Sequence, residues 1–274
     1  MLSCACTTSL TNLSDPHALR PGHLEVTLAG QGTANSVVLS KSWDGGAALY
    51  QQAFGDQKLQ LAALTDPAVV DTGVAWALFA PRIDPELQLR CGTPSGPLPG
   101  ADIGLRISPS VAKLDGKLQL LGSDDGRHAL ALQAGYAMQH GGPHKQVEWL
   151  TLVEFGRQDF DLMASYGWRW PNLFEGYLGP RALFSLVTAK RRLEADLVDE
   201  LPAEMSQFNP AQLFRDTWLY QAGGTAGIKA GYKYVFIRLE LNAFYMWFRP
   251  IVLGQQRVFD GVVVAPSVAL SGTW

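Results

Sequence analysis

The stretch VFIRLELNAFYMWFRP, Val235–Pro250, sorts its side chains into two sets. The odd positions are Val235, Ile237, Leu239, Leu241, Ala243, Tyr245 and Trp247, and the even ones Phe236, Arg238, Glu240, Asn242, Phe244, Met246 and Phe248. Successive side chains of a strand point to opposite faces. One face is therefore free of charge and ends in two aromatic residues, while the other carries a cation, an anion and an amide in its middle. A water-soluble sheet turns its apolar face to a core. A membrane barrel turns it outward and keeps the polar face inside.

The chain has 274 residues, a formal charge of −3, 47% hydrophobic residues and only 17% charged ones, below the roughly 25% of soluble domains. No broad basic surface calls for nucleic acid, and no run of about 18 apolar residues supplies a spanning helix. With 28 Gly and 8 Trp, the composition fits a β-rich soluble domain or a membrane β-barrel. Cys4, Cys6 and Cys91 have neither metal-ligand nor disulfide-framework spacing. AGGTAGIKAG lacks the Gly-Lys-Ser/Thr ending of a phosphate loop, and no cofactor is expected.

Period-two alternation recurs in about twelve segments: GHLEVTLAG, VDTGVAWAL, PELQLRC, ADIGLRIS, KLDGKLQLL, ALALQAGYAMQ, QVEWLTLVEF, FDLMASYGWRW, RALFSLVTAK, TWLYQAGGTAGIKAGYKY, the opening run and FDGVVVAPSVALSGTW. One face of each is bulky and apolar. The other is small, glycyl or charged, as at Gly223, Gly227 and Gly231. Glycine weakens an open strand but makes room inside a narrow barrel. Trp and Tyr gather near segment ends, as at Tyr166, Trp168 and Trp170, where interfacial girdles lie. The reading is an all-β fold, a closed up-and-down antiparallel transmembrane barrel of about twelve strands (10–14), with a tether at 1–21 and the barrel at 22–274. The lumen-lining residues are then Glu25, Asp71, Glu86, Arg90, Asp102, Arg106, Lys113, Asp115, Lys117, Gln133, Glu148, Asp161, Arg169, Lys229, Arg238, Glu240 and Asn242. Segment 31–68 is read either as another hairpin through SVVLSKSW and KLQLAAL, or with AALYQQAF as a helix that plugs the lumen or lies on the membrane interface.

The final alternation, Val264, Pro266, Val268, Leu270, Gly272 and Trp274, resembles the C-terminal signal of bacterial outer-membrane β-barrel proteins. The resemblance implies recognition of Trp274, Leu270 and Val268 by barrel-assembly machinery; Pro266 departs from the pattern and suits a bulge or kink. MLSCACTTSLTNLSDP resembles the lipobox end of a bacterial lipoprotein signal and implies acylation of Cys4, or of Cys6. Longer connections are expected at 31–68, 93–100, 122–127, 192–214 and 250–257, outside, with short periplasmic turns and both termini in the periplasm. Two connections fit this scheme poorly: 171–179 is long for a turn, and 156–159 is short for a loop.

Chemistry is sparse. HGGPH, His140–His144, is a polar turn or a metal pair, with the turn preferred. An outer-face hydrolase needs a Ser–His pair, and His128 with a Ser from a neighbouring strand is the one candidate. Lys190, Arg191 and Arg192 form a solvated loop or meet lipopolysaccharide phosphates. The leading expectation is a narrow channel for small solutes with a mixed-charge filter; the alternatives are a closed barrel acting as an interaction platform and a lipid-modifying hydrolase. The expected partners are outer-membrane lipids, lipopolysaccharide and the assembly machinery, with the oligomeric state open.

Overall fold

The structure, a computed structural model, describes residues 10–54, 66–93, 100–139, 153–170, 173–191, 215–252 and 254–274. Ten antiparallel strands close into a barrel. They are β1 (Leu24–Asn35), β2 (Arg82–Gly92), β3 (Ala101–Ile107), β4 (Val111–Gly122), β5 (His128–Gln139), β6 (Val153–Trp170), β7 (Phe174–Arg191), β8 (Thr217–Tyr232), β9 (Val235–Phe248) and β12 (Gly261–Thr273). The short strands β10 (Ile251–Val252) and β11 (Gln255–Gln256) pair only with each other. Neighbours in the wall are neighbours in the chain, and β1 closes on β12 from Glu25 opposite Thr273 to Asn35 opposite Val263. Between β1 and β2 lie two helices, α1 (Ser36–Phe54) and α2 (Pro67–Phe79).

The face question has a direct answer in β9. Ile237, Leu239, Leu241, Tyr245 and Trp247 are exposed, while Arg238, Glu240, Asn242, Phe244, Met246 and Phe248 are buried. The same inversion holds around the wall: Leu28, Ile103, Leu114, Leu132, Leu162, Trp218 and Ile228 face outward. Leu270 and Val268 belong to this outward row, and Trp274 ends the seam, its N–H donating to the Leu24 carbonyl (2.9 Å).

Two expected strands do not exist as such, which takes the count from twelve to ten. VDTGVAWAL lies in α2. Its apolar residues fall on every side, so they satisfy a helical period as well as an alternating one. The deciding signals flank it: Asp66 caps the helix by accepting from the Ala68 N–H (2.8 Å), Pro67 opens the first turn, and Pro81 follows the C-cap. Asp71 is accordingly no strand residue of the lumen wall; it sits on α2 and pairs with Lys41 (2.8 Å). QVEWLTLVEF and FDLMASYGWRW are, over their described residues, one continuous strand, β6. SVVLSKSW lies in α1, which removes the extra hairpin, and AALYQQAF continues the same helix; KLQLAAL is outside the described residues.

These two corrections shift the loop parity. The connections 93–100, 123–127, 171–173 and 233–234 all fall at the end that holds Leu24 and Thr273. The connections 36–81, 140–152, 192–216 and 249–260, with the short 108–110, fall at the other. The four longest connections thus share one end, with 108–110 short among them and 93–100 the longest at the other; 156–159 is inside β6, and the turn after β6 is short. Loops 93–100 and 122–127 move to the short-turn end.

Proline positions are explained by the ladders. The β12–β9 register runs unbroken through Pro266, without the expected bulge or kink, but pairing with β1 skips from Ser267 to Val264. Pairing of β6 with β7 likewise skips from Met163–Arg181 to Tyr166–Leu178, beside Pro180. A residue without an N–H fits where one ladder is interrupted.

Candidate functional site

The interior is filled from within. Residues 10–20 enter the lumen at the loop end, run down its axis and leave at the short-turn end, where Gly22 (φ +79°) turns the chain into β1. Leu10 and Leu13 are fully enclosed, and so are the polar Thr11, Asn12, Ser14, Asp15 and His17. An extended segment has free N–H and C=O groups along its length, and each needs a partner when buried.

The wall supplies these partners. The Thr11 N–H donates to Gln31 Oε1 (2.8 Å) and its hydroxyl to Glu86 Oε2 (2.7 Å). The Asn12 and Leu13 N–H groups donate to the two oxygens of Glu240, each at 2.6 Å. Arg181, Arg106 and Arg238 donate to the carbonyls of Leu10, of Thr11 and Asn12, and of Leu13 respectively. Lys117 Nζ donates to the carbonyls of Asp15 (2.7 Å) and His17 (2.9 Å). Ala18 and Leu19 donate to Gln119 (2.9 Å) and Asp102 (3.1 Å). Leu13 has φ +46°, a left-handed conformation uncommon for leucine, and Glu240 and Arg238 hold it from both sides.

Most of the sequence-derived lumen residues meet in this network. Arg90 pairs with Asp102 and Asp115, Lys117 with Asp102 (3.0 Å), and Lys113 with Asp161. Arg238 pairs with Glu25 and reaches Asp15 (3.4 Å), and Lys229 bridges the same two carboxylates (3.4 and 3.1 Å). Gln133 donates to Asp115 (2.9 Å), Asn242 to Glu240 (2.8 Å), and Glu86 lies 3.6 Å from Arg106. Arg169 is at the mouth, its side chain partly exposed, and pairs with Glu175 (3.0 Å). Glu148, Cys4, Cys6, His140, His144 and Arg192 lie outside the described residues.

Several members were not anticipated. Asp15 and His17 belong to the expected tether. Glu175 and Tyr177 fall in 171–179, expected to be a connection, and stand instead in β7. Arg181, which binds Asp161 (2.6 Å) and Asn242 (3.0 Å), and Arg157, which binds Asp159 (2.7 Å), complete the set. Alternation from Glu175 through Tyr177 and Arg181 to Ser185 was the available signal. Gly227 makes room for the Tyr177 ring, since a Cβ there would stand 2.2 Å from the Tyr177 Cζ, and the Tyr177 hydroxyl donates to Glu240 (2.7 Å).

Toward the loop end the lining changes to Leu183, Val187, Leu219, Phe244, Met246, Phe248 and Val263. Leu10, Val37 and Val38 of α1, Ala75 and Leu78 of α2, and Phe259 pack against it. Phe79 meets Phe248 edge to face at 5.6 Å.

At the short-turn mouth a cavity of about 310 Å³ remains, bordered by Asp15, His17, Arg169, Trp170, Glu175 and Lys233 among others. One ligand atom from each of Asp15, His17 and Glu175 falls within 4.8 Å of the others. His17 is bonded to Glu175, and Arg169, Lys229 and Arg238 surround the two carboxylates. So many cations make this an ion-pair cluster and disfavour a further positive ion. On the outer wall, the His128 ring stacks on Tyr166 with Nδ1 2.7 Å from its hydroxyl, while Ser123 Oγ accepts the backbone N–H of His128 (2.8 Å). Among the described residues no serine hydroxyl engages the His128 imidazole.

No family model matches the chain, and no curated protein matches it. Among solved structures it is similar to Neisserial surface protein A at 8% identity, covering 91% of this chain and 95% of that one, with a TM-score of 0.33. It is also similar to Ail, the attachment invasion locus protein of Yersinia pestis, at 8% identity, 93% and 100% coverage and a TM-score of 0.31.

Proposed function

We propose that the chain is an outer-membrane β-barrel that is sealed along its axis and serves as a structural or interaction platform. The outward belt of Leu, Ile, Val, Trp and Tyr supports membrane insertion, because a closed ladder leaves no unpaired edge in hydrocarbon. The segregation of long connections to one end supports an orientation with those loops outside and the short turns in the periplasm. Leu10 at the loop end and Trp274 at the other then place the two ends of the described chain on opposite sides of the barrel.

The observation that carries the sealed reading is the main chain of residues 10–20 inside the lumen, bonded to the same charges that would otherwise line a filter. Enclosed acidic and basic side chains are close to equal in number, so the interior has little net field to select an ion. The helices and the Phe244–Phe248–Phe259 cluster close the loop end a second time. Purified protein in planar bilayers is expected to give no discrete openings, and stable single-channel steps would replace this reading with the narrow channel. Heat-modifiable mobility of detergent-extracted outer membranes tests the barrel itself; protein that stays in solution without detergent would end the membrane reading. Contact with lipopolysaccharide and delivery by the assembly machinery follow as expectations of the same proposal.

A further inference from the structure

Helix α1 has an inner and an outer side of unusual composition. Val37 and Val38 are buried in the loop-end cluster, Lys41 Nζ reaches Asp71 on α2 (2.8 Å), and Gly45 lets α2 approach so closely that a Cβ would stand 2.1 Å from Thr72 Oγ1. At about 100° per residue these four positions share one side of the helix. Leu39, Trp43 and Tyr50 lie on the other, and they are 70%, 81% and 64% exposed. Gly46 and Ala47, also exposed, fall between them. A helix facing water carries charged residues there. Here Lys41 is committed to α2, and Asp44 is the remaining charge of the helix.

The helix begins at the edge of the barrel's apolar belt. α1 starts at the rim, where Ser36 Oγ accepts the Val262 N–H (2.9 Å) and the Val37 side chain covers Gly261. Val262 is outward-facing, and Ile83, on β2 opposite Gly32, is 83% exposed at the same rim. Trp and Tyr combine an apolar ring with a polar tip and favour the level where headgroups meet acyl chains. A charge-poor helix with one such face lies in that plane.

We propose that α1 rests on the membrane interface at the loop end, with Leu39, Trp43 and Tyr50 inserted at the boundary between headgroups and acyl chains. The occupant of this face is lipid, because the helix starts at the rim of the wall that the proposed function places in hydrocarbon and its exposed side is apolar and aromatic; the inference rests on that reading. It gives the helical hairpin a second role beyond closing the lumen, as a float that fixes the depth and tilt of the loop end.

The test is nitroxide labelling of Leu39→Cys, Trp43→Cys and Tyr50→Cys, each in a full-length background with Cys4, Cys6 and Cys91 changed to Ser. The proteins are reconstituted into phosphatidylethanolamine–phosphatidylglycerol vesicles after heat-modifiability confirms folding. Labels at Leu132→Cys on the outer wall and Asp124→Cys in an exposed turn set the two references. The expected result is a ratio of oxygen to nickel-complex collisions several-fold above that of position 124 at all three helix positions. If position 132 reads lipid while the helix positions match 124, the interfacial helix is overturned and the barrel reading stands. If position 132 also reads water, the membrane reading itself fails. Spin–spin broadening at position 43 that grows with the protein-to-lipid ratio would identify a second copy as the occupant and overturn the proposal.

Discussion

The two halves of the barrel interior are closed by different means. β9 crosses both. Its inward Arg238 and Glu240 bond the main chain of Asn12 and Leu13, with Asn242 held against Glu240 and Arg181, and its inward residues Phe244, Met246 and Phe248 join the cluster formed with side chains of α1 and α2. An apolar lining accepts any filling of the right volume, so two loop helices suffice. A charged lining needs a partner for every donor and acceptor. An extended peptide supplies these at each residue, whereas a helix keeps its N–H and C=O groups for itself.

The comparison breaks most readily at Arg238. Arg238→Ala leaves Glu25 buried beside Asp15 with one cation fewer and frees the Leu13 carbonyl. Loss of one partner of a buried pair costs about 3–5 kcal/mol, read as a lower urea midpoint in lipid or detergent; a loss below about 1 kcal/mol would mean that the polar half tolerates vacancies as the apolar half does. Tyr177→Phe keeps the ring over Gly227 and removes only the hydroxyl bonded to Glu240. It is expected to cost about 1.5–3 kcal/mol, the range for a hydrogen bond to a charged group. Met246→Leu in the apolar half conserves volume and should stay below about 1.5 kcal/mol in the same assay; a larger loss would show that this half is as exacting as the other.

The smallest effect lies outside both halves. Asp125, in the turn after β4, is held below its ordinary carboxyl range by the Ser123 hydroxyl and the Arg127 N–H. Its folded-state value is depressed. Its contribution is therefore present above the unfolded value of about 4 and fades as pH falls through the lower folded one. Asp125→Asn should remove that acid dependence, with a slight loss of unfolding midpoint at neutrality that fades as pH falls below about 4.

The strands and most of the wall charges were legible because alternation is a local signal. Arg238, Glu240 and Asn242 could be assigned inward from their own strand. The segment Thr11–Leu19 could not be read this way. It has no periodicity, and its partners stand far along the chain, as Leu13 does from Glu240. A polar stretch near a terminus looks like a tether unless the groups that satisfy it are known. VDTGVAWAL failed for another reason: uniformly apolar sequence fits two periods, and the Asp66–Pro67 cap was the more informative signal. Glu175 and Tyr177 were hidden by the glycines that let the wall pack closely around them.

The passage of residues 10–20 through a closed ring leaves two routes of assembly. Because β1 begins where that peptide leaves the ring, the peptide is either encircled as the β1–β12 seam forms or threaded into the closed ring through the short-turn mouth. A compact, independently folded cargo fused ahead of Leu10 would block the needle's eye to threading, so a fusion that still filled its lumen would show that the last ladder forms around the peptide.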